Sequence, residues 1–431
     1  MKKSTSTRRQ FLQRASALGT AFVIPTIIPS SALGLDGATA PSERITMGLI
    51  GSGGQGTSNM EGFLAFKDVQ FLAIADVDKA HREAAAAIVN KQYGNTDCAL
   101  FNDFRELNDR ADIDAVIIAT PDHWHALNAI DALKKGKDTY VQKPLTWSVR
   151  EGRALCDAVK QYGRILQTGS QQRSDDRFRQ ACELVRNGRI GTLKYVNIGI
   201  PDNNKTCAPA WSPEPVPEGF DYNFWLGPAP AAEYHHQRCH YEFRFILDYS
   251  GGQVTNFGAH NIDIAQWGLG MDGSGPVDVD GNGVFPESGL FTTATQVFFE
   301  CTYANGVRLT CKTGKSGMAF EGTEGTIYVD RKHIEATPPE ILNEKIGDSE
   351  IHLYESADHY RNFADCVKLR KDPICTAEIG HRSATICNIG NIAMRLGRKL
   401  AWDPAAERFT GDEEANAMLG RKMRGDWTLE A

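Results

Sequence analysis

The stretch ITMGLIGSGGQG, residues 45–56, decides how the first half of the chain folds. A short apolar run is followed by Gly51, Gly53 and Gly56 in G-x-G-x-x-G spacing, which is typical of a strand that turns sharply into a helix. Such glycines let backbone amides approach a pyrophosphate at the N-terminus of the helix, and Gln55 belongs to the same turn. The stretch predicts a dinucleotide-binding loop; a merely tight turn is the alternative.

A carboxylate in the expected place strengthens this prediction. Asp76 closes the next apolar run, twenty residues after Gly56, where an acidic side chain binds the ribose hydroxyls of a dinucleotide. A carboxylate there would repel a 2′-phosphate, and no arginine follows it directly. NAD is therefore the expected cofactor, with NADP the less favoured alternative.

Outward from this loop, buried apolar runs alternate with amphipathic stretches. The runs VQFLAIA, IDAVIIAT, DTYVQ and RILQT are typical of strands, and KAHREAAAAIVNKQ and HALNAIDALKKG of helices. Ser148 and Glu151 have capping-box spacing, and Gly163 follows as a helix stop. The alternation predicts a Rossmann domain, a doubly wound parallel sheet, over residues 42–170.

The pattern changes after a helix that we expect between Ser174 and Gly188. A proline-rich stretch, 201–230, precedes the alternating runs TTATQVFFECTY and GVRLTCKTG, which Asn305-Gly306 joins as a hairpin. We expect an α+β, substrate-binding domain over 171–350 with a large, mainly antiparallel open sheet. Residues 351–431 should add helices and a tail that pack on both domains.

Composition narrows the function classes. The 431 residues carry a net charge of −7 and no long basic tract after the N-terminus, which argues against nucleic acid as a partner. The ten cysteines lack a C-x-x-C pair, so buried thiols are expected rather than disulfides or a zinc site.

The N-terminus has the pattern of an export signal. STRRQFL, residues 6–12, precedes the apolar run 17–34, which Pro25 and Pro29 interrupt. This resembles a twin-arginine signal peptide, used by proteins that cross the membrane already folded, with cleavage after Ala32. We expect residues 1–34 to be this signal, the twin-arginine export machinery to be a partner, and the periplasm or exterior to be the destination, without a stable membrane span.

A second motif lies in ATPDHWHALNAIDALKKGKDTYVQKP, residues 119–144. Thr120, Pro121 and His125 match a T-P-x-x-x-H element, and Lys143-Pro144 matches the end of an E-K-P element. With the glycine loop and the later FEGTEGTIYVD, the chain resembles the glucose–fructose oxidoreductase, inositol dehydrogenase and rhizopine-catabolism (Gfo/Idh/MocA) family from residue 44 to about 400.

The resemblance implies roles for several residues. Thr120, Pro121 and His125 would border the cofactor, and Lys143 would contact both the cofactor and the reacting hydroxyl. In GGQVTNFGAHNIDIAQWGLG, residues 251–270, His260 is the histidine of the family's D-x-x-x-H element and would act as acid or base.

This chain departs from the family at two carboxylates. Asn256 replaces the aspartate of D-x-x-x-H, and Gln142 replaces the glutamate of E-K-P, so both changes remove negative charge. Asn256 would orient His260, which we expect at a helix start where the dipole keeps it neutral. Asp263, one helical turn beyond, either joins the site or serves as scaffolding.

The run YHHQRCH, residues 234–240, supplies Arg238 and His240 as expected hydroxyl donors to a sugar. His236 and His240 have the spacing of a metal pair, but they lie in a loop without a carboxylate, and we expect no metal. Trp225 and Tyr234 suit either stacking on a sugar ring or core packing.

Together these observations predict an exported, NAD-dependent oxidoreductase that transfers hydride to and from a sugar, glycoside or polyol. One alternative is a glycoside hydrolase or lyase that acts through transient oxidation and elimination. Another is a non-catalytic NAD-binding scaffold or sensor. A homo-oligomer is expected in each case.

Overall fold

The computed structural model describes residues 39–202, 205–206 and 211–430. The predicted signal, 1–34, lies outside these residues. The chain divides into two compact units, Met1–Arg44 and Ile45–Ala431. The first contributes a single described turn, Pro41–Glu43. No described helix is long and apolar enough to cross a membrane.

The first half of the second unit is built on a parallel sheet, as predicted. Its six described strands run in the order β3-β2-β1-β4-β5-β6, and every neighbouring pair is parallel. They are β1 (Ile45–Ile50), β2 (Val69–Ala75), β3 (Ala99–Phe101), β4 (Ala115–Ile118), β5 (Asp138–Val141) and β6 (Leu166–Thr168). The order reverses between β1 and β4, so a crevice opens at the carboxyl ends of these two strands.

Helices cover both faces of this sheet. They are α1 (Gly54–Leu64), α2 (Lys79–Tyr93), α3 (Phe104–Asn108), α4 (His125–Lys134) and α5 (Val149–Tyr162). The predicted caps of α5 are confirmed: the Ser148 hydroxyl accepts from Glu151 N, and Gly163 ends the helix with φ 60°. One apolar cluster packs under α4 and α5, and another under α1 and α2.

The second half contains a mixed, mostly antiparallel sheet, which confirms the predicted fold class. Its described strands run in the order β13-β12-β11-β7-β10-β9-β8-β14-β15, and among the described pairs β7 with β10 is the parallel one. They are β7 (Leu193–Ile200), β8 (Asp278–Gly281), β9 (Phe298–Thr302), β10 (Arg308–Thr313), β11 (Gly317–Gly322), β12 (Thr326–Val329), β13 (Ile334–Thr337), β14 (Leu400–Asp403) and β15 (Arg408–Phe409). The predicted hairpin joins β9 to β10, with Gly306 at φ 82°.

Six further helices follow in the described residues: α6 (Asp176–Arg186), α7 (Tyr222–Leu226), α8 (Ala259–Leu269), α9 (His359–Leu369), α10 (Ala377–Leu396) and α11 (Glu413–Ala417). Of these, α9 packs into the core beneath α1 and α2 of the parallel sheet. Asp175, rather than the predicted Ser174, caps α6 by accepting from Arg177 N. The long helix α10 packs against α5 and also against α8 and β8. It therefore ties the parallel sheet to the mixed one and holds both halves around the crevice.

Candidate active site

A cavity of about 600 Å³ occupies the crevice at the carboxyl ends of the parallel strands. One wall comes from the loops after β1, β2, β4 and β5. The opposite wall comes from residues 220–225, 240–244 and Asn256. The cavity thus has a cofactor wall from the first sheet and a second wall from the other half of the chain.

The glycine loop has the shape that a pyrophosphate needs. Gly51 has φ +84°, and a Cβ added to Gly56 would lie 1.9 Å from Gly51 O, so neither position accepts a larger residue without movement. A Cβ at Gly53 would meet no atom within 4 Å, because this residue faces open space at the N-terminus of α1. Free backbone amides beside open space fit the phosphates of a dinucleotide.

Asp76 lies beside this loop, as predicted. Its Oδ2 accepts from Ser52 N at 2.6 Å and from Ser52 Oγ at 3.0 Å, and its Oδ1 accepts from Asp78 N at 2.9 Å. Each oxygen still has room for a further hydrogen from a ribose hydroxyl. Gln55 also lines the cavity, and its Nε2 donates to Asn59 Oδ1 at 2.9 Å.

Backbone hydrogen bonds close the adenosine end of the cavity. Lys79 N donates to Gly219 O at 2.9 Å and Asp221 N donates to Val77 O at 3.0 Å, so the loop after β2 pairs with the segment that precedes α7. A dinucleotide seated here would be covered by residues of the second half of the chain.

His240 lies at this adenosine end, which differs from the predicted contact with substrate. Its Nε2 is 3.9 Å from Asp78 Oδ2, and its ring contacts those of His81 and Phe220. Its φ of 54° is left-handed, a conformation that non-glycine residues adopt mainly where the surroundings demand it. Its position implicates it in covering the cofactor.

Thr120, Pro121 and His125 all line the cavity. His125 also contacts the segment after β5 that contains Lys143 and Pro144. The Nδ1 of His125 is 2.8 Å from Pro144 O, and Nε2 is 2.8 Å from Thr120 O. Burial lowers the pKa of His125. The buried imidazole therefore connects the loop after β4 to the residue that follows Lys143.

Lys143 meets Asn256 across the cavity. Its Nζ donates to Asn256 O at 2.8 Å and to Asn256 Oδ1 at 3.3 Å. Burial lowers the pKa of Lys143 to about 8, and the charge of Arg244 acts in the same direction. Arg244 Nε also donates to Asn256 Oδ1, at 3.3 Å, while Asn256 Nδ2 donates to Gln253 Oε1. Asn256 Oδ1 thus accepts hydrogen bonds from two cationic side chains, Lys143 and Arg244.

His260 is close to this centre but does not line the cavity. Burial and the charges of Lys143 and Arg331 lower the pKa of His260 far below the usual range, so the ring is neutral. Its Nδ1 is buried without a partner, which leaves Nε2 as the nitrogen that a ligand could reach. The predicted reason for neutrality was wrong: a π-helical turn, Val254–Gly258, runs directly into α8, so His260 is not at a free helix start.

Arg238 and Asp263 are not brought into the cavity. Arg238 is 7% exposed, and its Nε donates to Glu233 O within an aromatic cluster. Asp263 forms a buried ion pair with Arg173, at 2.8 Å, and accepts from Ser383 Oγ. Asp263 is thus scaffolding, since its carboxylate is already fully engaged with α10 and with the loop before α6.

Sequence reasoning missed Arg244 and Asp122, which both line the cavity. Asp122 is buried, accepts from Ser250 Oγ, and has its pKa raised by burial. Asp122 stands inside the T-P-x-x-x-H element, which gave a signal, whereas Arg244 stands in the run RCHYEFRFILDYSGG, residues 238–252, which assigned it no role. Of the two predicted aromatic residues, Trp225 lines the cavity and Tyr234 packs in the neighbouring cluster.

The described residues include two groups that have ligand atoms close enough for a metal: Asp78, His81 and His240, and Glu214, His235 and His236. His236 and His240, the pair noted in the sequence, are therefore in different groups. In the second group His235 Nδ1 accepts from Gln237 N, which places the proton on Nε2, 3.5 Å from Glu214. Hydrogen bonding accounts for that group.

Comparisons with known proteins agree with this architecture. A model described as an oxidoreductase family, NAD-binding Rossmann fold, matches residues 45–170, and one described as an oxidoreductase family, C-terminal alpha/beta domain, matches residues 205–429.

The similar proteins include both a glycosidase and inositol dehydrogenases. An alpha-N-acetylgalactosaminidase of Shewanella oneidensis is 31% identical over 207 residues, which is 44% of each chain. The scyllo-inositol 2-dehydrogenase (NAD(+)) of Bacillus subtilis is 29% identical over 280 residues, 61% of this chain and 70% of the relative. The crystal structure of a scyllo-inositol dehydrogenase from Lactobacillus casei, with bound NAD(H) and scyllo-inositol, has a TM-score of 0.59 at 17% identity and covers 83% of this chain and 99% of that one.

Proposed function

The chain belongs to the Gfo/Idh/MocA oxidoreductase family, and from this premise we propose that it is an exported oxidoreductase that exchanges hydride between a tightly held NAD and a carbinol carbon of a sugar, glycoside or polyol. The observation that carries the proposal is the juxtaposition of Lys143 with Asn256 in the same cavity as an open glycine loop. A buried lysine that lines a cleft and whose pKa is lowered to about 8 favours catalysis over a scaffold.

The residues of the cavity have separate roles in cofactor binding, substrate binding and proton transfer. The amides before α1 and the carboxylate of Asp76 would hold NAD, which supplies the hydride acceptor when bound. The Nζ of Lys143 donates a hydrogen bond to the hydroxyl oxygen of the substrate and, as a cation, stabilises the negative charge that develops there. The neutral imidazole of His260 accepts the hydroxyl proton at Nε2. Asn256 fixes the position of Lys143 through both its backbone and side-chain oxygens.

The direct test uses the protein as purified. Its absorbance and fluorescence would reveal bound NAD(H), and addition of sugars, glycosides and polyols should reduce the bound cofactor with growth of the nicotinamide band near 340 nm. A purified protein that contains no nicotinamide nucleotide and binds none on addition would contradict the proposal.

One relative favours a second candidate, cleavage of glycosides without net redox change. The aligned Shewanella protein is an alpha-N-acetylgalactosaminidase. In this chemistry the enzyme would oxidise a sugar carbinol to a ketone, remove the acidified neighbouring proton and expel the aglycone. Water would then add to the double bond, and the hydride would return to the ketone. An aryl glycoside separates the candidates: release of the phenol without accumulated NADH supports cleavage, whereas a keto-glycoside with bound NADH supports the oxidoreductase.

Export is part of the proposal because of Arg8 and Arg9 in the N-terminal run. NAD is scarce outside the cytoplasm, and a protein exported after folding can carry its cofactor with it. The backbone pairing that covers the adenosine end supports such retention. Replacing both arginines by lysine should leave the folded, NAD-loaded protein in the cytoplasm. Unchanged periplasmic accumulation of this double variant would reject the twin-arginine assignment.

A further inference from the structure

The reacting end of the cavity has more positive than negative charge. Lys143 and Arg244 approach each other at Asn256 Oδ1, each at 3.3 Å. Among the described residues neither cation forms an ion pair with a carboxylate. Of the carboxylates that line the cavity, Asp76 and Asp78 belong to the adenosine end, while Asp122, buried against Ser250, interacts electrostatically with both Lys143 and Arg244. At this end two lining cations therefore face one lining carboxylate.

A third cation reinforces this excess. Arg331 follows β12, and its Nε donates to Gln172 Oε1 at 3.0 Å, while its guanidinium lies 5.0 Å from the ring of Phe257. Its charge lowers the pKa of both Lys143 and His260. No carboxylate in the described part of the chain pairs with it either.

An unused hydrogen-bond donor lies in the same place. Gln142 lines the cavity and is 4% exposed, and its Nε2 is buried without a partner. Its Oε1 accepts from Lys143 N at 3.3 Å, which orients the amide so that Nε2 is free to donate. A buried donor without a partner is costly. A ligand with acceptor oxygens would remove that cost.

The pyrophosphate of the cofactor does not account for these groups. It would lie at Gly53 and the N-terminus of α1. Arg244 is held away from that loop by Asn256 and by Tyr241 O, to which Nη1 donates at 3.0 Å. The cations therefore face the position of the substrate.

We propose that the substrate is an anionic sugar, with a carboxylate or sulfate ester near the carbinol carbon, and that Arg244 binds the acidic group while Lys143 holds the reacting hydroxyl. This inference rests on the proposed oxidoreductase function and names its substrate class. Gln142 Nε2 adds a neutral donor to the same anion. Residues 142 and 256 are amides, so Asp122 is the one lining carboxylate that opposes the two cations at this end, and the charge of the substrate supplies the balance.

The first experiment compares two pools of sugars on the NAD-loaded protein. One contains glucose, galactose, mannose and their methyl glycosides, and the other contains the matching uronates and 6-sulfates. We expect rapid reduction of bound NAD by the acidic pool, and its separated members then distinguish carboxylate from sulfate. Equal or faster reduction by the neutral pool would overturn the charge inference and leave the oxidoreductase standing. Reduction by neither pool would overturn both.

The second experiment removes the charge of Arg244. Arg244→Gln should raise KM for the acidic sugar about ten- to hundredfold, the loss expected for a charge-assisted hydrogen bond, with the NAD content unchanged. Arg244→Lys should recover much of the affinity, because it keeps the charge. Arg308→Gln is the matched control, since this exposed arginine pairs with Glu300 in the second sheet.

Binding provides a readout apart from turnover. Calorimetric titration of the NADH-loaded protein with the acidic sugar should show the same order: wild type, then Arg244→Lys, then Arg244→Gln. A Gln variant that loses NAD but retains its affinity for the acidic sugar would assign Arg244 to the cofactor and contradict the proposal.

Discussion

The adenosine end and the reacting end of the cavity differ in how the chain builds them. At the adenosine end the groups that would hold the cofactor come from residues 51–78, a short and nearly continuous stretch, and residues 219–221 and 240 only cover them. At the reacting end Lys143, Arg244 and Asn256 come from distant segments and meet through their side chains. The first end carries the carboxylates of Asp76 and Asp78, and the second carries cations.

This difference explains which end of the cavity can be predicted from the sequence. A pyrophosphate is the same in every dinucleotide, so a loop built from backbone atoms can be read from glycine spacing. Substrate chemistry varies between relatives, and side chains on separate segments can change one at a time. Gln142 and Asn256, which stand where the E-K-P and D-x-x-x-H elements would have carboxylates, are an example.

The largest expected effect is a slower reduction of bound NAD after a change at the reacting end, with cofactor binding at the adenosine end unaffected. Lys143→Met and His260→Ala should each slow single-turnover reduction of bound NAD by about 10²–10⁴-fold, the usual contribution of an acid–base group, without releasing NAD. The double variant should lose less than the product of the two factors, because both residues act on one hydroxyl.

The rates are followed in the nicotinamide absorbance band, with His333→Ala, an exposed histidine after β12, as the control. Wild-type reduction by His260→Ala would remove His260 from the mechanism and leave Lys143 as the supported catalyst.

The next effect concerns the backbone of the glycine loop. Gly56→Ala should lower the NAD content more than about tenfold and reduce Tm, because its Cβ would lie 1.9 Å from Gly51 O and the loop must move. Gly53→Ala is the matched variant: its Cβ meets no protein atom within 4 Å, so Tm should hold while NAD binds more weakly. Equal NAD content in Gly56→Ala and wild type would show that the loop does not carry the cofactor.

A smaller effect is expected at the ribose position. Asp76→Ala should weaken NAD binding about tenfold, since one charged hydrogen-bond acceptor is lost, and should relax discrimination against NADP. Mass spectrometry of the denatured wild-type protein identifies the natural cofactor, and recovery of NADP would contradict the assignment. Titration of the variant with both nucleotides measures the change.

The smallest effect is a shift in pH dependence at the reacting end. If cationic Lys143 promotes the reaction, the rate should fall as the pH rises through about 8, where the amine loses its proton. Asn256→Asp places a carboxylate where the amide oxygen is 3.3 Å from Nζ, which favours the charged lysine and raises its pKa. The descending limb should move up by about one pH unit or more. If the descending limb of the pH profile does not move in this variant, the ionisation of Lys143 does not determine it.

The sequence by itself determined the parts of this protein that depend on local pattern. Glycine spacing, strand–helix alternation, the caps of α5 and the hairpin at Gly306 concern residues close together in the chain, where backbone geometry and burial periodicity leave few alternatives. Lys143 is indicated by the E-K-P element of the family that the chain resembles, and its place after a buried strand agrees, because the carboxyl ends of such strands face the crevice.

Only the tertiary structure decided which distant side chains meet. It placed Arg244 beside Lys143, moved His240 to the adenosine end, and engaged Asp263 with Arg173 in the core. It also showed that a π-helical turn precedes His260, so that burial and nearby cations, rather than a helix end, keep the imidazole neutral. These contacts join residues that lie between 90 and 162 positions apart in the chain. No periodicity encodes them, because they arise from packing of the two sheets around one crevice.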